Sequence, residues 1–260
     1  MKIPIFQVDA FTDKQFKGNP AAVCPLEEWL PESVMQNIAM ENNLAETAFI
    51  VKKGDSYQIK WFTPESEIDL CGHATLAAAY VINKYIDNKK EKIEFQSVSG
   101  KLIVSRTGDV FSMLFPSRPA KAADLSNLFL KALGKQPIEV YKARDYLLVY
   151  KSEDDIKNIY PDMELLKKID AFAVIVTAPG DEVDFVSRFF APGAGISEDP
   201  VTGSAHCTLI PYWADRLNKK ELKARQLSRR GGNLICKLHN QNKVLIAGKA
   251  VSYLEGYIYV

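Results

Sequence analysis

A segment of this sequence recurs about half a chain later. Residues 60–64 (KWFTP) precede an acidic linker and then residues 72–74 (GHA) at the start of an apolar stretch, and residues 188–192 (RFFAP) precede residues 203–205 (GSA) in the same way. The offset is about 128 residues in a chain of 260. Similarity at a fixed spacing is typical of a duplicated structural unit. The sequence therefore predicts an α+β fold of two pseudo-symmetric domains, each with strands wrapped around one buried helix.

The boundary between the two domains is predicted at residues 116–119 (PSRP), because two prolines in four residues stop a strand without starting a helix. We predict an N-terminal domain over residues 1–117 and a C-terminal domain over 118–251. The last strand, near residues 252–260, is a candidate to complete the first domain. The active site is expected in the cleft between the domains, where the two glycine turns would face each other.

Individual elements follow from local patterns. Residues 73–86 (HATLAAAYVINKYI) are small and apolar on nearly every face at first, which predicts an enclosed central helix. Residues 45–53 and 56–62 are strand-like and flank Gly54-Asp55, which predicts a hairpin. Pro31 opens a short surface helix that ends near Asn42.

Composition excludes several classes of partner. The chain has 33 Lys+Arg against 32 Asp+Glu and a formal charge of +1, so no excess positive field supports binding to nucleic acid or to an anionic membrane. The longest apolar run, residues 76–82, is far shorter than the roughly 20 residues of a membrane span. The 4 cysteines include no CxxC pair. These features predict a cytoplasmic protein with free thiols.

The two glycine turns are the first candidate for chemistry. Glycine lets the backbone approach a ligand closely at Gly72 and Gly203, and a helix N-terminus attracts a carboxylate. Two of the 3 histidines, His73 and His206, lie at these turns. The alternative interpretation is purely structural: the glycines permit tight turns, Ser204 satisfies a helix end, and the histidines are hydrogen-bonded core residues.

Glu46 is the second candidate, since it is one carboxylate among apolar residues in the segment LAETAF. Partial removal from water would favour a role in moving a proton on and off carbon. A solvated carboxylate at a strand edge is the open alternative.

Several blocks of the sequence resemble the PhzF (phenazine biosynthesis-like) family. In order along the chain they are residues 8–24 (VDAFTDKQFKGNPAAVC), 41–49 (ENNLAETAF), 61–75 (WFTPESEIDLCGHAT), 198–206 (EDPVTGSAH) and 226–232 (QLSRRGG). The resemblance runs from Phe6 to the C-terminal strands. It implies the diaminopimelate-epimerase-like fold, a homodimer, and an enzyme with no metal or organic cofactor.

The resemblance also assigns roles to residues. In the phenazine enzyme of the family, the glutamate of the NNLxETAF block moves a proton between carbons of a dihydro-hydroxyanthranilate ring, and this glutamate matches Glu46. The family's histidine in the GH turn matches His73. The aspartate and serine of its D-x-x-T-G-S block match Asp199 and Ser204. These three residues are expected to bind and orient the substrate.

Gly72, Gly203 and Thr202, which form the two turns, complete the predicted substrate-binding set. Related epimerases and racemases on this fold use one cysteine at each turn. Cys71 stands at the first of these positions, but the internal repeat places Thr202 at the second. Cys71 is therefore either a reactive thiol or a small buried hydrophobic residue.

Two further interpretations are open. His206 and Cys207, with His73 and Cys71, suggest a metal site only if suitable further ligands are present, and none is expected. Arg229 or Arg230 could hold a substrate carboxylate, but a solvated turn explains the same residues equally well.

Three functions are consistent with the sequence. The first is a PhzF-type, cofactor-independent isomerase that moves a proton between carbons of a small cyclic or amino-acid-like carboxylate through Glu46. The second is a Cys71-dependent epimerase or dehydratase of the proline racemase type. The third is a catalytically idle member that acts as a binding or scaffold protein. The identity of the substrate does not follow from the sequence.

Overall fold

The computed structural model describes residues 1–260 and divides them into two compact units. Unit 1 consists of Met1–Leu114 and Ala247–Val260, and unit 2 consists of Phe115–Ile246. The C-terminal segment thus returns to the unit in which the chain begins.

Unit 1 is built of strands and two α-helices. Its strands are β1 (Lys2–Ala10), β2 (Asn19–Leu26), β3 (Glu46–Lys53), β4 (Ser56–Phe62), β5 (Glu67–Ile68), β6 (Lys92–Ser97), β7 (Gly100–Thr107), β8 (Val110–Pro116) and β17 (Ala250–Tyr259). Its helices are α1 (Glu32–Asn42) and α2 (Gly72–Val81), and α2 continues into a π-helical turn (Ile82–Ile86). The predicted hairpin is confirmed as β3 and β4, joined at Gly54, which has a φ of +60°.

Unit 2 has the same kinds of element with shorter outer helices. Its strands are β9 (Lys121–Ala122), β10 (Glu139–Lys142), β11 (Tyr146–Val149), β12 (Val174–Pro179), β13 (Phe185–Phe190), β14 (Glu221–Gln226), β15 (Gly232–Asn240) and β16 (Lys243–Gly248). Its helices are α3 (Asn127–Leu133), α4 (Glu153–Lys157), α5 (Met163–Leu166), a 3₁₀ turn (Pro192–Ala194) and α6 (Gly203–Arg216).

The two units share one order of strand pairing. In unit 1, β1 and β2 are antiparallel, β2 and β3 parallel, β3 and β4 antiparallel, β4 and β6 parallel, and β6 and β7 antiparallel. In unit 2 the same series runs through β10, β11, β12, β13, β14 and β15. In both units helices fill the crossovers between parallel strands, as such connections require. The predicted α+β duplication is confirmed.

The two helices that follow the repeated motif are buried, as predicted. In α2 all residues except Gly72 and Tyr80 are buried, and the helix packs against β1, β2, β3 and β17. In α6, Pro211 lacks the N–H that would bond to the carbonyl of Cys207. That carbonyl accepts a hydrogen bond from the N–H of Arg118 instead, at 2.8 Å.

The outer helices cover the other face of each sheet. In unit 1, Met35, Ile38 and Ala39 of α1 pack with Phe49 of β3, and in unit 2, α3, α4 and α5 cover β11, β12 and β13. Helix α4 has no counterpart in the sequence predictions, although its Ser152 forms a capping box with the residue three positions later. Every helix of the protein is too short or too polar to cross a membrane.

Candidate active site

The position of Glu46 follows from the end of α1. Asn43 ends that helix in a left-handed conformation, with a φ of +48°, and the chain enters β3 three residues later. Successive residues of a strand face opposite sides of the sheet. Phe49 packs against α1, so Glu46 belongs to the face opposite that helix. Only 11% of the Glu46 side chain is exposed, so of the two interpretations left open by the sequence the burial favours the partly desolvated carboxylate.

Cys71 and His73 are placed by the start of α2. Cys71 is the N-cap residue, in an extended conformation with φ −137° and ψ 113°, and Gly72 is the first residue of the helix. Thr75 donates its hydroxyl to the carbonyl of Cys71 at 2.5 Å, which fixes this turn. His73 follows in the first helical turn and is 6% exposed.

These elements bring a carboxylate, an imidazole and a thiol into contact. The Nε2 atom of His73 lies 3.0 Å from the Oε2 atom of Glu46. The other ring nitrogen, Nδ1, lies 3.4 Å from the Sγ atom of Cys71 and 3.2 Å from the Nδ2 atom of Asn19. Each ring nitrogen thus has a polar neighbour, and a protonated ring can donate from both.

The three groups change one another's proton affinity. Burial lowers the pKa of His73, but the adjacent Cys71 sulfur and the Glu46 carboxylate raise it, so that the net pKa lies well above the ordinary value of 6.5. Burial raises the pKa of the Cys71 thiol, and the charge of Glu46 raises it further. The carboxylate therefore favours a proton on the imidazole and disfavours a thiolate.

The second glycine turn is organised by hydrogen bonds. Thr202 is the N-cap of α6, with φ −114° and ψ 102°, and its hydroxyl donates to the Oδ2 atom of Asp199 at 2.5 Å. The side chain of Gln226 closes the turn: its Oε1 accepts from the N–H of Thr202 at 2.9 Å, and its Nε2 donates to the carbonyl of Asp199 at 2.7 Å. A Cβ added at Gly203 would meet no atom within 4 Å.

Ser204 lies beside a cation. The Nη2 atom of Arg144 donates to its hydroxyl at 3.2 Å, and the guanidinium also makes two 2.8 Å hydrogen bonds to the buried Asp145. Arg144 additionally stacks over the ring of Phe172, 4.4 Å from its centroid. Because the hydroxyl of Ser204 accepts from Arg144, its own proton can be donated to an anionic ligand.

His206 is a structural residue. It is fully buried, and its Nδ1 donates to the carbonyl of Thr202 at 2.7 Å. Burial lowers its pKa to about 4, so the ring is neutral at ordinary pH. The thiol of Cys207 contacts the carbonyl of Gly203 at 3.8 Å. The hydrogen-bonded core interpretation therefore describes His206, whereas His73 contacts titratable groups.

The structure thus forms two groups from the predicted site residues. Gly72, Glu46 and His73 belong to unit 1. The second group, Asp199, Thr202, Gly203 and Ser204, belongs to unit 2. Convergence of both groups on one substrate stays a prediction.

Three residues near these groups were missed by the sequence analysis, namely Asn19, Arg144 and Gln226. A signal for Asn19 is present, because it stands between glycine and proline. Gly18 has a φ of +65°, and a Cβ there would lie 2.1 Å from the carbonyl oxygen of Ala10. Gln226 begins the QLSRRGG block. The two arginines of this block indicate a charged turn, and the pattern gives no signal for the glutamine.

Comparisons with known sequences and known structures identify the same family. A family model described as phenazine biosynthesis-like protein (PhzC-PhzF) matches residues 8–256. An uncharacterized isomerase of Pseudomonas aeruginosa is 47% identical over 260 residues, which covers 100% of both chains. The crystal structure of a PhzF family protein of Enterococcus faecalis is 50% identical and superposes with a TM-score of 0.98 over 100% of both chains.

More distant similarity concerns the fold alone. A probable proline racemase of Agrobacterium radiobacter superposes with a TM-score of 0.65, at 7% identity, over 99% of this chain and 93% of its own. The duplicated architecture is therefore shared with racemases and epimerases. The predicted diaminopimelate-epimerase-like fold is confirmed.

Proposed function

This chain belongs to the phenazine biosynthesis-like (PhzC-PhzF) family and is an isomerase, and from that premise we propose that it moves a proton between carbon atoms of a small cyclic or amino-acid-like carboxylate. The observation that supports this reaction most directly is the contact between Glu46 and His73. A buried carboxylate beside an imidazole can accept a proton from carbon and return a proton at another position.

Glu46 is the general base and then the general acid in this proposal. Its carboxylate removes a proton from a carbon next to an electron-withdrawing group, and the electron pair moves into the conjugated system of the substrate. The same carboxyl group then delivers the proton to a second carbon. The imidazole of His73, whose Nε2 atom lies 3.0 Å from the Oε2 atom of Glu46, holds the carboxylate in position by electrostatic attraction.

The second glycine turn is proposed to bind the substrate. Asp199 would accept hydrogen bonds from amino or hydroxyl groups, and Ser204 would donate to the substrate's carboxylate. Gly72, Gly203 and Thr202 would allow the backbone to approach it closely. Arg144, which donates to Ser204, adds positive charge for the same carboxylate.

A Glu46→Gln variant tests this reaction. Glutamine keeps the size and hydrogen bonding of glutamate but has no proton to transfer. We expect at least about 100-fold slower incorporation of solvent deuterium into a substrate found by screening cyclic amino acids and related carboxylates. Glu65→Gln, at an exposed turn, is the matched control and should retain the wild-type rate. Equal rates in wild type and Glu46→Gln would rule the proposal out.

A thiol-dependent epimerase or dehydratase is the second candidate, because the sulfur of Cys71 lies 3.4 Å from His73. A two-thiol mechanism needs a partner sulfur, and the repeat places Thr202 at the equivalent position. We therefore expect Cys71→Ala to retain most of the deuterium exchange. Loss of exchange in Cys71→Ala together with its retention in Glu46→Gln would favour the thiol mechanism.

A further inference from the structure

Glu46, Cys71 and His73 have a second chemical property in common, since each side chain can bind a transition metal. One carboxylate oxygen, one sulfur and one imidazole nitrogen lie within 4.8 Å of one another. All three residues are buried, and they come from the start of β3, the N-cap of α2 and its first turn. The proton-transfer reaction proposed above makes no use of the sulfur.

The dimensions of this cluster are close to those of the ligands of a tetrahedral ion. Bond lengths of about 2.0 Å to nitrogen or oxygen and about 2.3 Å to sulfur place neighbouring ligand atoms roughly 3 to 4 Å apart. The Oε2 atom of Glu46 lies 3.0 Å from Nε2 of His73, and the sulfur of Cys71 lies 3.4 Å from the other ring nitrogen, Nδ1. An ion binds only one of these nitrogens, and one nitrogen of the ring lies within 4.8 Å of both the oxygen and the sulfur. Binding therefore requires the side chains to move closer together around the ion.

The buried polar atoms are also available for coordination. The Oε2 atom of Glu46 and the Nε2 atom of His73 are both buried and face each other, yet neither has a hydrogen bond of good geometry. A metal ion bound to both atoms would satisfy them together.

Charge and ligand type select the ion. A thiolate and a carboxylate together neutralise one divalent cation, so the occupied cluster would carry no net charge in its buried position. Sulfur and imidazole ligands favour Zn²⁺ over Mg²⁺ or Ca²⁺, which require oxygen ligands. Three protein ligands leave one position of a tetrahedral ion for water or for a substrate carboxylate.

We propose that Glu46, Cys71 and His73 form an inhibitory Zn²⁺ site that regulates the isomerase. On binding, the thiol releases its proton to solvent and a zinc–sulfur bond forms. The ion binds the Glu46 carboxylate, which must accept the substrate's proton. Metal binding and turnover therefore exclude each other. The inhibitory effect rests on the function proposed above, whereas the binding of the metal does not.

Cobalt spectroscopy tests the site without any substrate. Co²⁺ added to the metal-free, reduced protein should bind in a 1:1 ratio and give a near-ultraviolet thiolate-to-cobalt absorption band, which Zn²⁺ should abolish. We expect Cys71→Ala to lack the band and to bind Zn²⁺ at least about 100-fold more weakly. Cys24→Ala is the matched control, because Cys24 is a free, buried thiol of the same unit. It should behave as wild type.

Thiol labelling of the wild-type protein provides a check that does not depend on the folding of a variant. Zn²⁺ should slow alkylation of Cys71, measured by mass spectrometry, and leave the labelling of Cys24 unchanged. The absence of a cobalt band in wild type, or its persistence in Cys71→Ala, would refute the metal site and leave the isomerase proposal intact. Metal binding at Cys71 with undiminished deuterium exchange would refute the inhibitory role alone.

Discussion

The two glycine turns of this protein have the same backbone and different chemistry. Each central helix starts with glycine, after an N-cap residue in extended conformation, Cys71 in unit 1 and Thr202 in unit 2. The following side chain is His73 in one unit and Ser204 in the other. The duplication has thus preserved the turn as a framework while the side chains diverged. The turn of unit 1 carries an imidazole in contact with a carboxylate and a thiol, and the turn of unit 2 carries hydroxyl groups that form hydrogen bonds.

Strand register extends this comparison to Glu46. Thr47 pairs with Phe62 in unit 1, and Val174 pairs with Phe190 in unit 2. Phe62 and Phe190 are equivalent in the sequence repeat, so the position that corresponds to Glu46 is Ala173. Unit 2 therefore has no counterpart of the proposed general base.

The largest expected effect on turnover is that of His73→Ser, which places the serine of the unit 2 turn at the equivalent position of unit 1. His73→Ser removes the imidazole that positions Glu46, and we expect turnover to fall at least about 100-fold. Ser204→Ala removes only a binding group, and should raise KM by roughly 10-fold with a smaller change in kcat. Deuterium incorporation measured over a range of substrate concentrations separates the two parameters. Equal effects of both variants on kcat would mean that the two turns do not differ in role.

The two buried histidines provide the second contrast, because burial and partners shift their pKa values in opposite directions. In unit 2, burial lowers the pKa of His206 from 6.5 to about 4. The unfolded chain takes up this proton below about pH 6.5, whereas the folded protein stays neutral until about pH 4. Folding is therefore progressively destabilised as the pH falls through this window, by about 3 kcal/mol from this residue.

A His206→Asn variant measures this contribution, since asparagine can still donate to the carbonyl of Thr202 but does not titrate. The loss of unfolding free energy between pH 6.5 and pH 4, determined by urea unfolding, should be smaller in the variant by about 3 kcal/mol. An unchanged pH dependence would show that folding does not lower the pKa of His206. His73 acts in the opposite direction, because its raised pKa contributes stability at low pH that is lost as the pH rises through the folded value.

Much of the fold could be predicted from local sequence patterns. The apolar character of α2, the Gly54 turn and the repeated motif are local signals, and each corresponds to an element of the structure. Helix α4 was missed because it has only 5 residues, too few for a hydrophobic period to show. The π-helical turn after α2 was also missed. It is closed by a 2.7 Å hydrogen bond from the N–H of Asp87 to the carbonyl of Ile82, five residues earlier. The sequence pattern indicates a helix but does not indicate this wider hydrogen-bond spacing.

The candidate site was predictable only in part, for a physical reason. Glu46 and His73 lie in recognisable blocks, but their 3.0 Å contact joins positions far apart in the chain and depends on how β3 packs beside α2. Asn19 acts through a contact with His73, and Gln226 acts through hydrogen bonds to the turn at Thr202. An amide has no charge pattern or periodicity, so its partners become evident only in three dimensions.

The smallest expected effect is that of Gly203→Ala in the second glycine turn. This variant distinguishes a turn that the substrate approaches from a turn that glycine merely permits. Gly203 starts α6 without a positive φ, and a Cβ there would meet no atom within 4 Å. Gly203→Ala should therefore change the free energy of unfolding by less than about 1 kcal/mol, and in the stabilising direction. If the open space is where the substrate approaches the backbone, the added methyl group should still raise KM by roughly 10-fold.

Gly18→Ala is the contrasting control, because its φ of +65° and the 2.1 Å approach of the Ala10 carbonyl to the added Cβ make alanine strained there. We expect a loss of stability of about 1 to 3 kcal/mol in that variant. Urea unfolding and substrate saturation curves distinguish the two glycines. An unchanged KM in Gly203→Ala would mean that the glycine merely permits the turn. A raised KM at full stability requires a ligand next to the backbone, because no contact within the folded protein is altered.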